Sequence, residues 1–253
     1  MAAWVTHLMI ADEVLKAVDR LDRRSFCVGN IAPDCNIESA DWKTFTPSRE
    51  VTHWIKGKRK SFDDCEDFRR KMIVPRTSSD NAEYSFLLGY YSHLLTDAAF
   101  QSMIRDEKRV AAAWKRVLAD DKLREMAKGM TPDFDSIKKL LPPGVRFHGV
   151  TRAEAEYLRK NPGSGYLTEI LPLREFPDYI DYLPHGCIVR KIGIMGYMPD
   201  DSVLEHDTVA LSDEEFARFV RDTTELVTEK VSKTLTPRDE KNEYVNRVGG
   251  FPN

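Results

Sequence analysis

Residues 89–100 read GYYSHLLTDAAF, and this stretch sets a histidine and an aspartate one helical turn apart in otherwise apolar surroundings. On a helix of 3.6 residues per turn, Phe86, Tyr90, His93, Asp97, Phe100 and Ile104 fall on one stripe, because each lies three or four positions after the last. The remaining sides carry Leu87, Leu88, Tyr91, Leu94, Leu95, Ala98 and Ala99. A helix apolar nearly all round belongs at the centre of a fold, so the pattern predicts a buried helix from about Asn81 to Arg105. Two polar groups on its core face must then be neutralised in the interior, since an unpartnered carboxylate is too costly to bury. A divalent cation does this, because side chains at i and i+4 project from one face and reach a single ion. The plainer alternative is a helix ion pair. Gly89, a turn before His93, leaves room for a close neighbour.

Outward from this helix the chain keeps helical periodicity. Apolar positions 4, 8, 11, 15 and 18 predict a first helix that fades near Arg23 and Arg24, before FCVGNIAPD breaks the pattern as a loop. Helical segments are expected over Ser48–Lys71 and Lys108–Lys128, with a shorter one after Thr131. The region from Pro142 to about Pro199 is rich in proline and glycine and reads as an irregular insertion or lid within residues 142–200, in which GCIVRKIGIMGYM suits a strand or buried extended chain. A Ser212 cap, acidic residues after it and Lys233 near the far end predict a closing helix. The expected organisation is therefore all-α, one domain over residues 1–236 and a tail over 237–253.

Bulk properties narrow the function. The chain has 253 residues, 42% hydrophobic and 31% charged, enough for one substantial core. A formal charge of −3 offers no general field for polyanions, so extended nucleic-acid binding is not expected. Cys27, Cys35, Cys65 and Cys187 are widely spaced and read as free thiols of a reducing compartment. The first residues lack a signal-like apolar run, and no segment approaches the roughly 18 apolar residues of a membrane span. A cytoplasmic protein is expected.

Three further residues deserve comparison with the His93 and Asp97 pair. His7 interrupts the first helix on the stripe 4, 7, 11, 14, 18; Asp34 follows Pro33 in a loop; His53 sits between Thr52 and Trp54. Separately these suit a core histidine, a capping aspartate and an interfacial histidine. Taken in order, however, WVTH, GNIAPD, VTHW and GYYSHLLTDAAF resemble the zinc-dependent phospholipase C family, an all-helical group sharing its fold with the fungal single-strand nucleases. The resemblance spans about the first hundred residues. It implies an orthogonal multi-helix bundle in which His7, Asp34, His53, His93 and Asp97 hold one or two zinc ions, with iron or manganese also compatible with such donors. It also implies a hydrolase that cleaves a phosphodiester or monoester, on a small-molecule or lipid substrate, with metal-activated water. Asp34, coming from a loop that can reach the open side, is the candidate to orient or deprotonate that water, or is equally a ligand only. An iron-dependent oxidative or lyase activity and a non-catalytic metal-stabilised binding protein are the alternatives.

The chain departs from secreted members of that family in three respects. Trp4, which matches a tryptophan that binds zinc through its terminal amine, follows three other residues here. A second histidine further along the central helix is replaced by Met103 or its neighbours. A later His and Glu four residues apart has no counterpart, because His148, His185 and His206 are followed at that offset by Arg152, Val189 and Ala210. Among weaker features, KGKRK at 56–60 reads mainly as a solvated helix face. Trp42, Trp54, Tyr90 and Tyr91 read as core or pocket aromatics. FPDYIDYLPHGC at 176–187 reads by default as a turn and packing loop, with substrate contact through His185 as the alternative.

Overall fold

The computed structural model describes residues 3–76 and 80–235. The predicted central helix is α5, Asn81–Met103, started by the Asp80 carboxylate, which accepts from the amide of Ala82 at 3.0 Å. It is buried from Tyr84 to Ala98 and again at Phe100, as its all-round apolar pattern requires. Around it lie α1 (Trp4–Ala17), α2 (Arg23–Gly29), α4 (Phe62–Phe68) and α12 (Asp213–Leu235). The contact with α2 is the tightest. A Cβ at Gly89 would lie 2.1 Å from the Phe26 carbonyl oxygen, and one at Gly29 would lie 2.1 Å from that of Phe86. Two glycines facing each other therefore let the helices touch backbone to backbone.

The two-residue strands β1 (Ile37–Glu38) and β2 (Phe45–Thr46) form one small antiparallel ribbon, in which Ile37 faces Thr46. All other regular structure among the described residues is helical, so the fold is all-α. The closing helix begins at a capping box: the Ser212 amide donates to Glu215 Oε2 at 2.9 Å, and the Glu215 amide to Ser212 Oγ at 3.3 Å. The four cysteines are free and buried. Among the described residues, no helix is long and apolar enough to cross a membrane.

Several elements differ from the sequence expectation, each for a local reason. The first helix stops at Ala17, and RRSFCVG is the separate helix α2, capped by Asp22, whose Oδ1 accepts from the Ser25 amide at 2.8 Å. Ser48–Lys71 is not continuous. It holds α3 (Arg49–Thr52), an irregular stretch entered at Trp54 with a left-handed φ of 56°, and α4, which runs on into a π-helical turn at Arg69–Ile73. Lys108–Lys128 is divided at Asp120 into α6 (Glu107–Ala119) and α7 (Asp121–Met126), because Asp120 turns extended and caps the second helix. The short helix after Thr131 is α8, Phe134–Leu140.

The Pro142–Pro199 region is more regular than its composition suggests. It contains α9 (Pro143–Arg146), α10 (His148–Lys160), a π-helical turn at Tyr166–Ile170 and α11 (Cys187–Met195). The stretch read as strand or extended chain is α11, with Cys187, Ile188, Lys191 and Ile192 on its buried side. Stretches 171–186 and 196–212 between helices lack regular elements, while Leu158, Ile170, Ile180 and Leu183 join the common core. The expected tail, 237–253, lies outside the described residues.

Candidate metal centre

Four elements deliver the five sequence-predicted side chains to one place. His7 comes from α1, where the neighbours on its stripe, Trp4 and Ala11, are buried. Asp34 ends a 3-10 turn, Ala32–Asp34, that Pro33 helps to set. His53 is the residue after α3, and His93 and Asp97 come from α5. All three imidazoles and Asp97 are buried, whereas the Asp34 side chain is 13% exposed.

The spacing is that of a coordination shell. His93 Nε2 is 3.4 Å from His53 Nε2 and 3.4 Å from Asp97 Oδ2; His53 Nε2 is 3.6 Å from that same oxygen and 3.3 Å from Asp34 Oδ1. His7 Nε2 lies 3.8 Å from Asp97 Oδ1. Donors on a tetrahedral ion with bonds of about 2.0–2.2 Å stand roughly 3.3–3.6 Å apart, so these separations suit nitrogen and oxygen ligation. Two donor sets emerge, His7 with His93 and Asp97, and Asp34 with His53 and His93. The His7 ring nitrogens and Asp97 Oδ1 are buried without a hydrogen-bond partner, a debt that a cation between them would settle.

Supporting contacts fix the rings. His93 Nδ1 meets the Asn30 carbonyl oxygen at 2.8 Å, so that nitrogen carries the proton and Nε2 keeps the lone pair. Thr52 Oγ1 stands 3.0 Å from His53 Nδ1, which lets this ring carry its proton on either nitrogen. The Tyr90 hydroxyl donates to the Thr52 carbonyl, the Tyr182 hydroxyl to Tyr90 at 3.0 Å and Trp54 Nε1 to Tyr182 at 3.1 Å. Trp54 and Tyr90 are thus braces of the His53 backbone. The His7 and His93 rings stack, with centroids 3.9 Å apart. Trp4 Nε1 donates to Asp34 Oδ2 at 3.2 Å, so Trp4 touches the centre through its indole.

Electrostatics favour a cation as well. Burial lowers the pKa of all three imidazoles, that of His7 to about 3, and leaves them neutral, the form that ligates. Burial works to raise the Asp34 carboxyl, but the His53 hydrogen bond and the neighbouring His93 and Lys60 outweigh it and hold the group well below the usual carboxylate range. One cation is already present in the protein itself. Lys60 Nζ donates to Asp97 Oδ2 from a side chain only 12% exposed. Burial pulls its ammonium down to about 7, while Asp34 works to raise it.

Lys60 corrects the reading of KGKRK as a solvated helix face: residues 55–60 are irregular, and their last lysine turns inward. His185 is 98% exposed and paired with Asp178, so it takes no part in the donor cluster. His148 pairs with Asp200 and Asp207, and His206 with Asp120 and Glu205. Beside Asp34 opens a cleft of about 290 Å³ whose lining includes Trp4, Trp42, Phe45, Arg49 and Glu154. Arg49 lies 4.4 Å over the Phe45 ring. Glu154, which sequence reasoning missed, accepts from the Thr6 amide at 2.9 Å and is pushed up to about 7 by burial. Its only sequence signal was a carboxylate among apolar neighbours on α10.

An all-α fold whose central helix contributes to a buried cluster of three histidines and two aspartates defines a class of helical proteins with a donor set that could hold a divalent metal. Residues 6–100 match the family model described as zinc dependent phospholipase C, a span that includes all five predicted donors. No curated protein and no solved structure matches the chain.

Proposed function

We propose that this chain is a zinc-dependent hydrolase of phosphate esters, phospholipase C-like in its chemistry, with His7, Asp34, His53, His93 and Asp97 as ligands. The observation that carries the reading is the convergence of neutral imidazole nitrogens and carboxylate oxygens at ligand spacing beside an open cleft. Bound there, a divalent ion would supply a water deprotonated near neutral pH and offset charge on the phosphoryl oxygens. The chain supplies the rest. Asp34 lies between the buried donors and the cleft and, held by Trp4 and His53, would orient the attacking water toward the substrate. Arg49 offers a cation to the phosphate at the cleft wall, and the aromatic lining receives the apolar part of a small-molecule or lipid ester. Four buried free thiols support a cytoplasmic setting.

The test is elemental analysis of the purified chain beside a panel of phosphomonoesters, phosphodiesters and phospholipids. Zinc should accompany turnover, and His93→Ala should lose both. Asp34→Asn should lower turnover about 10²-fold or more. Full zinc content in H93A would refute the assignment of α5, and iron with charge-transfer absorption would move the reading to oxygen chemistry.

A further inference from the structure

Lys60 cannot be a ligand while charged, yet it occupies a ligand's oxygen. Its ammonium meets Asp97 Oδ2, the oxygen that also faces His53 and His93, whereas Asp97 Oδ1 on the His7 side has no hydrogen-bond partner. We propose that Lys60 serves as the second cation of this centre, so that the chain binds a single divalent ion and admits another only when a neutral side chain replaces the lysine. This rests on the metal-centre reading above and deepens it.

Two independent features lead there. The first is the donor count. Both donor sets draw on His93, whose Nδ1 is committed to the Asn30 carbonyl. With one lone pair left, on Nε2, that imidazole ligates one ion, and a second ion would have to be held by the others. Asp97 Oδ2 is the best-placed replacement donor, 3.6 Å from His53 Nε2, and it is where Lys60 sits.

The second feature is charge. An imidazole that ligates through a ring lone pair is neutral, so Asp34 and Asp97 carry the negative charge that the five donors contribute. One divalent ion with the Lys60 ammonium already exceeds those two carboxylates by one charge, leaving a modest attraction for a phosphate. A second divalent ion would raise the excess to three within a shell of buried groups, which the low-dielectric interior disfavours strongly. Replacing the ammonium with a neutral side chain frees Asp97 Oδ2 and removes the repulsion together.

The experiment counts zinc per chain after saturation with zinc and gel filtration, in wild type, Lys60→Met and Lys60→Arg. Wild type and K60R should retain one ion each, and K60M should rise toward two. Lys60→Gln repeats the count should K60M fail to fold. Two ions in wild type would overturn the proposal while leaving the metal reading intact, and so would a K60M or K60Q count equal to a wild-type count of one. No zinc in wild type would remove both readings at once.

Discussion

Asp97 shows how one carboxylate can face in two directions. Oδ2 is held by Lys60, while Oδ1 points toward the orphaned His7 ring, so the two oxygens have different tasks though they share one side chain. Glu154 poses a different problem at the same scale. It is a buried acid whose proton is held more tightly in the folded protein than in the unfolded chain, because burial raises its pKa from 4.5 to about 7. Its contribution to stability is complete below pH 4.5 and lost as pH rises through about 7, a change on the order of 3 kcal/mol. Glu154→Gln should keep the oxygen that accepts from Thr6 and remove this pH dependence. Chemical denaturation at pH 5 and pH 8 checks it: the wild-type difference should shrink in E154Q, and an unchanged difference would assign the slope to other groups.

Elements succeed or fail here on the contact between α2 and α5. The facing glycines leave no room for a methyl group, since a Cβ at Gly89 would fall on the Phe26 carbonyl rather than on a side chain able to turn aside. Gly89→Ala should therefore cost about 3 kcal/mol or prevent folding, at or beyond the upper end of ordinary overpacking, despite alanine's better helix propensity. The shift of the denaturation midpoint measures it. Element identity was readable where period and chemistry agreed: the stripe through Phe86, His93 and Asp97 gave α5, and Ser212 with Glu215 gave the start of α12. It was unreadable where they disagreed. Val189 and the isoleucines in CIVRKIGIM favour a strand by composition, but burial of Cys187, Ile188, Lys191 and Ile192, spaced one turn apart, goes with a helix. RRSFCVG was missed because its glycine looked like a break, when it serves as the point of closest approach to α5.

For the whole molecule, the candidate site is a product of distant parts of the chain. The histidines and aspartates were legible because each interrupts or abuts a local pattern, but Lys60 was not, since an irregular connection carries it to Asp97 and no periodicity encodes that path. Bringing these groups together without an ion leaves polar atoms of His7 and Asp97 unpaired in the interior, and their satisfaction should appear as global stability. Zinc at a hundred times its dissociation constant should stabilise the fold by about 2.7 kcal/mol, and a chelator should reverse this. Thermal unfolding followed with and without chelator tests it, and coincident curves would mean the ion is not bound by the folded state.

The glycine seam has one more consequence, for the order in which the centre is assembled. His93 and Asp97 hang from a helix anchored directly to its neighbour's main chain, whereas His53 and Lys60 flank a stretch with much of its surface in water. An ion taken up here would thus meet half of its cradle on the main-chain seam and half on a segment whose neighbouring residues 56–59 lie in solvent.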